Sequence, residues 1–226
     1  MKPASTFTFA LLFVLFYVIG NAKQINPLWR SGQIHFWNKV VLEGDIAYNW
    51  SAEMVSLREL DGRVRTFSAN QVAEFGWFDH EQHKRRNFVS LTKPLDNERT
   101  SQCFFEVCMD GPLTVVRRFR KPHGPFKRLF SHPANSSDQP TLAQDTDQFE
   151  YFVFDAGRLL TLNKFHAEIY EPLMTTYHQE LRQYILTHNI NDRVLAGRLL
   201  LIGRYNSMVQ YDPKTASNKG FSGAND

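Results

Sequence analysis

Between residues 40 and 91, apolar and polar positions alternate in short runs separated by turn-forming residues, and this stretch sets the architecture of the chain. VVLEGDIAY places Val40, Leu42, Gly44, Ile46 and Tyr48 on one face and Val41, Glu43, Asp45 and Ala47 on the other, the period of a strand with one dry side and one wet side. A glycine in mid-strand, Gly44, marks a bulge or the close approach of another backbone. MVSLREL and RVRTF flank Asp61-Gly62, a pair that tolerates the positive φ angles of a two-residue hairpin turn. With that turn Arg58 faces Arg65, and Arg58, Arg63 and Arg65 share one face while Val55, Leu57 and Val64 share the other. Like charges directly across a ladder repel, so this second basic face calls for full solvation or an anion between the arginines. A three-residue bulged loop would shift the pairing and the faces with it.

The same texture extends in both directions. QIHFW reads as an earlier strand; Ser68-Ala69-Asn70-Gln71 fits a capping box and a brief helical turn before EFGWFD. DHEQHKRR is a polar connection into NFVSL. His80 and His83, with Asp79 and Glu81, are the metal-ligand candidates there, but no second cluster has ligand spacing, and a solvated hairpin loop accounts for them. CFFEVCM, Asp110-Gly111 and LTVVRRF repeat the hairpin pattern, as do QFEYFVF, Asp155-Ala156-Gly157 and RLLTL. After Leu162 the period changes: a short helix disturbed by Pro172, then Tyr177, Leu181, Tyr184 and Ile185 at helical spacing, a break at THNIN, and a stripe of Val194, Leu195, Leu199, Ile202 and Tyr205 that Leu200 and Leu201 broaden. The expected fold class is therefore α+β: an antiparallel β-meander of roughly 8–10 short strands, as a sheet, sandwich or partial barrel, followed by two or three C-terminal helices that cover one face.

Ahead of the meander, Lys2, an unbroken apolar run over residues 7–19 and the small residues Gly20-Asn21-Ala22 read as an export signal cleaved after Ala22. The run is short of the roughly 20 residues of a membrane span. The organisation expected is a signal peptide at 1–22, a β-rich region at 23–163, a helical region packed on the sheet at 164–210 and a disordered tail at 211–226. Location would be periplasmic or secreted.

Charge changes the picture little in total and more in detail. The whole chain carries 26 Lys and Arg against 23 Asp and Glu, which excludes a polycation that binds nucleic acid or lipid with its whole surface. One local segment stands out. RRFRKPHGPFKRLF carries Arg117, Arg118, Arg120, Lys121, Lys127 and Arg128 interleaved with Phe119, Phe126 and Phe130, and opens the longest irregular stretch, residues 121–147. Basic residues with interleaved aromatics suit an acidic envelope component, whether glycan, lipid headgroup or protein; the plainer account is an edge strand whose cations deter pairing. The two cysteines, Cys103 and Cys108, lie five apart in one strand, which puts them on opposite faces about 16 Å from each other, beyond disulfide reach.

The combination of an export signal with GDIAYN, DGRVRTFSANQVAEFGWFD, KRRNFVSL, FFEVCMDGPLTVVRR and the helical LLLIGRYNSM resembles a group of exported bacterial β-rich proteins with no assigned activity. The resemblance runs from about Gln33 to Met208 and rests on turns and strand patterns. It implies export and a β-rich fold; it brings no catalytic residues.

No nucleophile elbow, zinc-protease helix, phosphate-cradling glycine loop or paired Cys-x-x-Cys occurs in the sequence, and no cofactor motif. The four tryptophans suit core packing or a sugar-stacking surface. The function expected is a non-catalytic, envelope-associated binding or structural protein acting through a basic surface segment. The alternative is a hydrolase with acidic residues on the sheet, recognisable by close carboxylates in a concave pocket.

Overall fold

The structure is a computed structural model and describes residues 28–94, 100–120 and 148–212. Ten antiparallel strands form one sheet: β1 (Arg30–Phe36), β2 (Val41–Asn49), β3 (Met54–Arg58), β4 (Val64–Ser68), β5 (Val72–Asp79), β6 (Lys84–Pro94), β7 (Thr100–Met109), β8 (Thr114–Phe119), β9 (Phe149–Asp155) and β10 (Arg158–Thr161). Helical segments follow: a 3-10 turn (Leu162–Lys164), a π-helical turn (His166–Tyr170) running into α1 (Glu171–Leu173), a second 3-10 turn (Thr175–Tyr177), α2 (His178–His188) and α3 (Leu195–Tyr211). The α+β class expected from the pattern is the one observed, with the helices C-terminal to the sheet.

The strand order is β10-β9-β8-β7-β6-β5-β1-β2-β3-β4. Neighbours in sequence are neighbours in space except at one place: β5 leaves β4 and pairs with β1. A flat sheet would put β4 and β5 four strand spacings apart, about 19 Å. Ala69, Asn70 and Gln71 are the whole connection, and four Cα steps reach about 14 Å at most. The sheet must therefore curl on itself. Phe36 of β1 and Phe67 of β4 accordingly meet edge to face, 4.9 Å between centroids, across the interior of the curl. Glycine permits the tight approach: a Cβ on Gly32 would lie 2.4 Å from the Gly76 carbonyl oxygen.

The 60–62 loop corrects the first hairpin. Leu57 faces Arg65 and Arg58 faces Val64, while the Glu59 N–H donates to the Arg63 carbonyl. The loop holds three residues: the Arg63 N–H donates to Asp61 Oδ1 and Gly62 takes φ +84°. One extra residue inverts the faces. Arg58 is thereby parted from Arg63 and Arg65 and pairs with Asp45 at 2.6 Å, while Arg65 pairs with Glu59 at 2.6 Å and Arg63 with Asp61 at 2.5 Å and with the same Glu59 at 3.7 Å. The basic face expected from a two-residue turn is not assembled.

At residues 68–71 the capping-box geometry is half realised. The Ser68 N–H donates to Gln71 Oε1, but the Gln71 N–H goes to the Ser68 carbonyl, so the segment is a tight turn with no helix. His80 and His83 sit in the four-residue loop between Asp79 and Lys84, whose shape is set by Asp79 Oδ1 accepting from the Glu81 and Gln82 N–H groups. Among the described residues no group of three or more His, Cys, Asp or Glu could hold a metal ion.

The curled sheet has two apolar sides. Its inner face packs Ile34, Val55, Phe75, Phe88, Phe104, Val115 and Val153 against Phe165, Ile169, Leu181, Leu199 and Ile202 of the helices. Trp50 and Trp77 belong to this core. A smaller outer cluster joins Cys103, Phe105, Val116 and Phe152. The thiols thus lie on opposite faces, both unbridged. In α3 the expected stripe holds at Leu199 and Ile202; of the two leucines expected to broaden it Leu201 is buried and Leu200 exposed, and Val194 is exposed. Asn206 fixes the helix to the sheet: its side chain accepts from the Leu113 N–H and donates to the Leu113 carbonyl, each at 2.9 Å.

Candidate anion-binding cleft

The last strand is short, and that shortness opens a cleft. β10 pairs with Phe152–Asp155 of β9, so Phe149, Glu150 and Tyr151 run past its end. The chain then turns through the 3-10 segment begun at Thr161, whose Oγ1 accepts from the Asn163 N–H. It returns after α2, which ends on Asn189 in the left-handed conformation. Val194 and Leu195, at the start of the 17-residue α3, arrive beside the same strand end. The space enclosed is about 580 Å³.

Among the described residues four cations line this cleft, Lys93, Arg120, Arg193 and Arg198, against one carboxylate, Glu150. Lys93 engages that carboxylate at 3.1 Å. Arg198 is held by neutral groups: its nitrogens donate to the carbonyls of Asp192 (3.0 Å), Leu162 (2.6 Å) and Arg193 (2.9 Å), which orient the guanidinium without cancelling its charge. Arg120 and Arg193 are exposed and take part in no ion pair among the described residues. Val194 caps α3 without a side-chain acceptor, so the positive end of the helix dipole adds to the same field. Phe149, Phe152 and Leu162 supply an apolar floor.

Behind the floor lies a buried charge network. Glu106 Oε1 accepts from Arg86 Nε at 2.8 Å, Glu106 Oε2 accepts from Arg117 Nε at 2.7 Å, and Arg117 Nη1 donates to the Tyr151 hydroxyl at 3.2 Å. Register explains the assembly: Glu106 faces Phe88 on one side and Arg117 on the other, and Arg117 faces Tyr151. Burial pushes the Glu106 carboxyl up, but the Arg86 and Arg117 guanidiniums outweigh it and hold the group below its ordinary value. The Arg86 guanidinium lies 5.3 Å from the Trp77 ring centre and that of Arg117 4.4 Å from Phe149, so aromatic faces absorb part of the buried charge.

Of the six basic residues singled out in the 117–128 segment, the structure distributes three and Lys121, Lys127 and Arg128 lie outside the described residues. Arg117 is in the interior with 2 % exposure, and Arg118 is paired with Glu53 at 2.5 Å, its side chain 12 % exposed. Arg120 alone of these three opens onto the cleft. Nor is β8 an edge strand, since β7 and β9 flank it. Lys93, Arg193 and Arg198 carry no spacing signal; Lys93 is far in sequence from the Arg193–Arg198 segment and meets it only through the fold. A second hollow of about 370 Å³ on the outer face mixes His35 and Arg85 with Glu74 and Asp110, a lining without a dominant sign. Compared with known proteins, the chain matches no family model, no curated protein and no solved structure.

Proposed function

We propose that this is an exported, non-catalytic binding protein that engages an acidic component of the cell envelope through the cleft at the end of β9. One observation carries the reading: among the described residues, Lys93, Arg120, Arg193 and Arg198 converge on a space lined by one carboxylate, Glu150, which is already ion-paired. Cations gathered in a concavity with low-dielectric walls focus the field and draw anions. Arg198 is preorganised by three carbonyls, so little side-chain entropy is lost when a ligand docks beside it. The apolar run and small residues at 7–22 support export.

The test is fractionation of the exported protein at low and high salt, wild type against an Arg120→Gln/Arg193→Gln variant. The wild type sediments with the envelope at low salt and is released by high salt, because exposed charge pairing is screened; the variant stays soluble at both. Equal solubility of the two proteins at low salt overturns the reading. Export is checked separately: the mass of the mature chain should correspond to a start at Lys23.

A further inference from the structure

From the composition of the cleft walls we infer that its ligand is a phosphomonoester amphiphile, a phosphate group joined to an apolar chain. This rests on the binding reading above and narrows it to a ligand class.

The charge count selects the headgroup. Among the described residues Glu150 offsets one of the four cations, leaving the side chains about the cleft with a surplus of three. A carboxylate ligand brings one negative charge, whereas a phosphomonoester brings about 1.5 to 2 near neutral pH, together with three acceptor oxygens. Arginine supplies its donors as a rigid fork that matches two phosphate oxygens at once. Arg120 and Arg193 present such forks, and neither is engaged by a carboxylate among the described residues. Arg198, by contrast, commits three of its five N–H donors to backbone carbonyls and contributes mainly field.

The walls select the remainder. Val194, 48 % exposed, and half-buried Leu195 offer apolar surface at the start of α3, over a floor of Phe149, Phe152 and Leu162 that is already buried. A glycan would need hydrogen-bonding partners along such a wall, and a bare inorganic anion would gain nothing from it. A hydrocarbon chain gains the transfer free energy of each methylene it buries. A volume of about 580 Å³ falls within the range of small-molecule sites. It suits a headgroup and the first part of a chain.

Binding of octyl phosphate, inorganic phosphate and octyl glucoside to the exported protein, followed by titration calorimetry, tests this. Octyl phosphate should bind about tenfold or more tightly than either of the others, a gap of about 1.4 kcal/mol. Arg120→Gln/Arg193→Gln should weaken octyl phosphate about tenfold with no change in Tm, while Leu195→Asn should weaken octyl phosphate and leave inorganic phosphate unaffected. Equal binding of octyl phosphate and inorganic phosphate overturns the amphiphile and leaves a simple anion site. Equal binding of octyl glucoside overturns the headgroup. No binding of octyl phosphate overturns the proposal outright; if the protein then still sediments with the envelope in a salt-dependent way, the acidic partner is a polymer and the broader binding reading survives. Vesicles containing phosphatidic acid, compared with vesicles of neutral lipid, separate a membrane-resident source from a monomeric one.

Discussion

Glu53 and Arg118 meet at 2.5 Å although they belong to opposite parts of the sheet. Glu53 stands in the turn between β2 and β3, and Arg118 in β8, with β1, β5, β6 and β7 between β2 and β8. In a flat sheet those strands would be five spacings apart, about 24 Å. The pair is a clasp on the curl, reinforced where Trp50 packs edge to face on Phe149 at 5.3 Å. Removal of either partner breaks a largely buried ion pair. Glu53→Gln or Arg118→Gln should each cost about 2–3 kcal/mol in chemical denaturation. The double variant should fall short of the sum, giving a coupling of about 1 kcal/mol or more. Salt-dependent sedimentation with the envelope should be unaffected by either change.

Glu106 should make the protein acid-sensitive. Its folded carboxyl lies below the ordinary value because two guanidiniums outweigh burial. A depressed carboxyl contributes stability that is complete above the unfolded value, about 4.3, and lost as pH falls through the lower folded value. Glu106→Gln should cost about 3–5 kcal/mol near neutrality, since it leaves Arg86 and Arg117 buried around an amide. It should also flatten the acid limb of the stability–pH curve measured by denaturant midpoints.

The thiols should be silent in the native state. Cys103 is buried in the outer cluster, and burial pushes Cys108 up to about 12. A thiol raised in this way favours folding at neutral pH, and the contribution declines as pH rises from the unfolded value near 8.5 towards 12. Alkylation at neutral pH should be slow in the folded protein and reach two equivalents per chain in denaturant. Rapid native labelling of Cys108 would contradict the environment described.

Asn206 should behave as a structural residue despite its polarity. Its amide closes a two-bond clamp on Leu113. Asn206→Ala would leave a buried N–H and a buried carbonyl without that partner, at a cost of roughly 2–4 kcal/mol. Asn206→Asp keeps the acceptor and loses the donor, and should fall between the two in denaturant midpoint.

Strand existence was legible because alternation and turn residues coincide in this chain; the hairpins at 61–62, 110–111 and 155–157 are all present. Register was less so. Asp61-Gly62 is compatible with either a two-residue or a three-residue loop, and the side chains of Arg58, Arg63 and Arg65 alone do not choose between them. Asp61 chooses, by capping the Arg63 N–H. The burial of Arg117 had no local signature, because a VVRRF run reads the same at an edge as it does beside a glutamate supplied by the next strand. The cleft was legible at Arg120 alone. Lys93, Arg193 and Arg198 are ordinary surface cations in sequence, and their convergence follows from β10 being only four residues long.

The three-residue passage from β4 to β5 also bears on how the molecule can be divided. β5 is shared: it closes the first five strands through β1 on one side and starts the ladder to β6 on the other. No cut around residue 80 yields two intact halves, because one piece would keep β5 with a raw edge of unpaired amides and the other would begin at a naked β6. The β1–β5 ladder is moreover a long-range contact that bridges some forty residues of intervening chain. Pairing of β1 with β5 is thus the seam that joins the first four strands to the rest of the sheet, and a chain cut at 69–71 would be held across that seam by the β1–β5 ladder and the shared core rather than by the backbone.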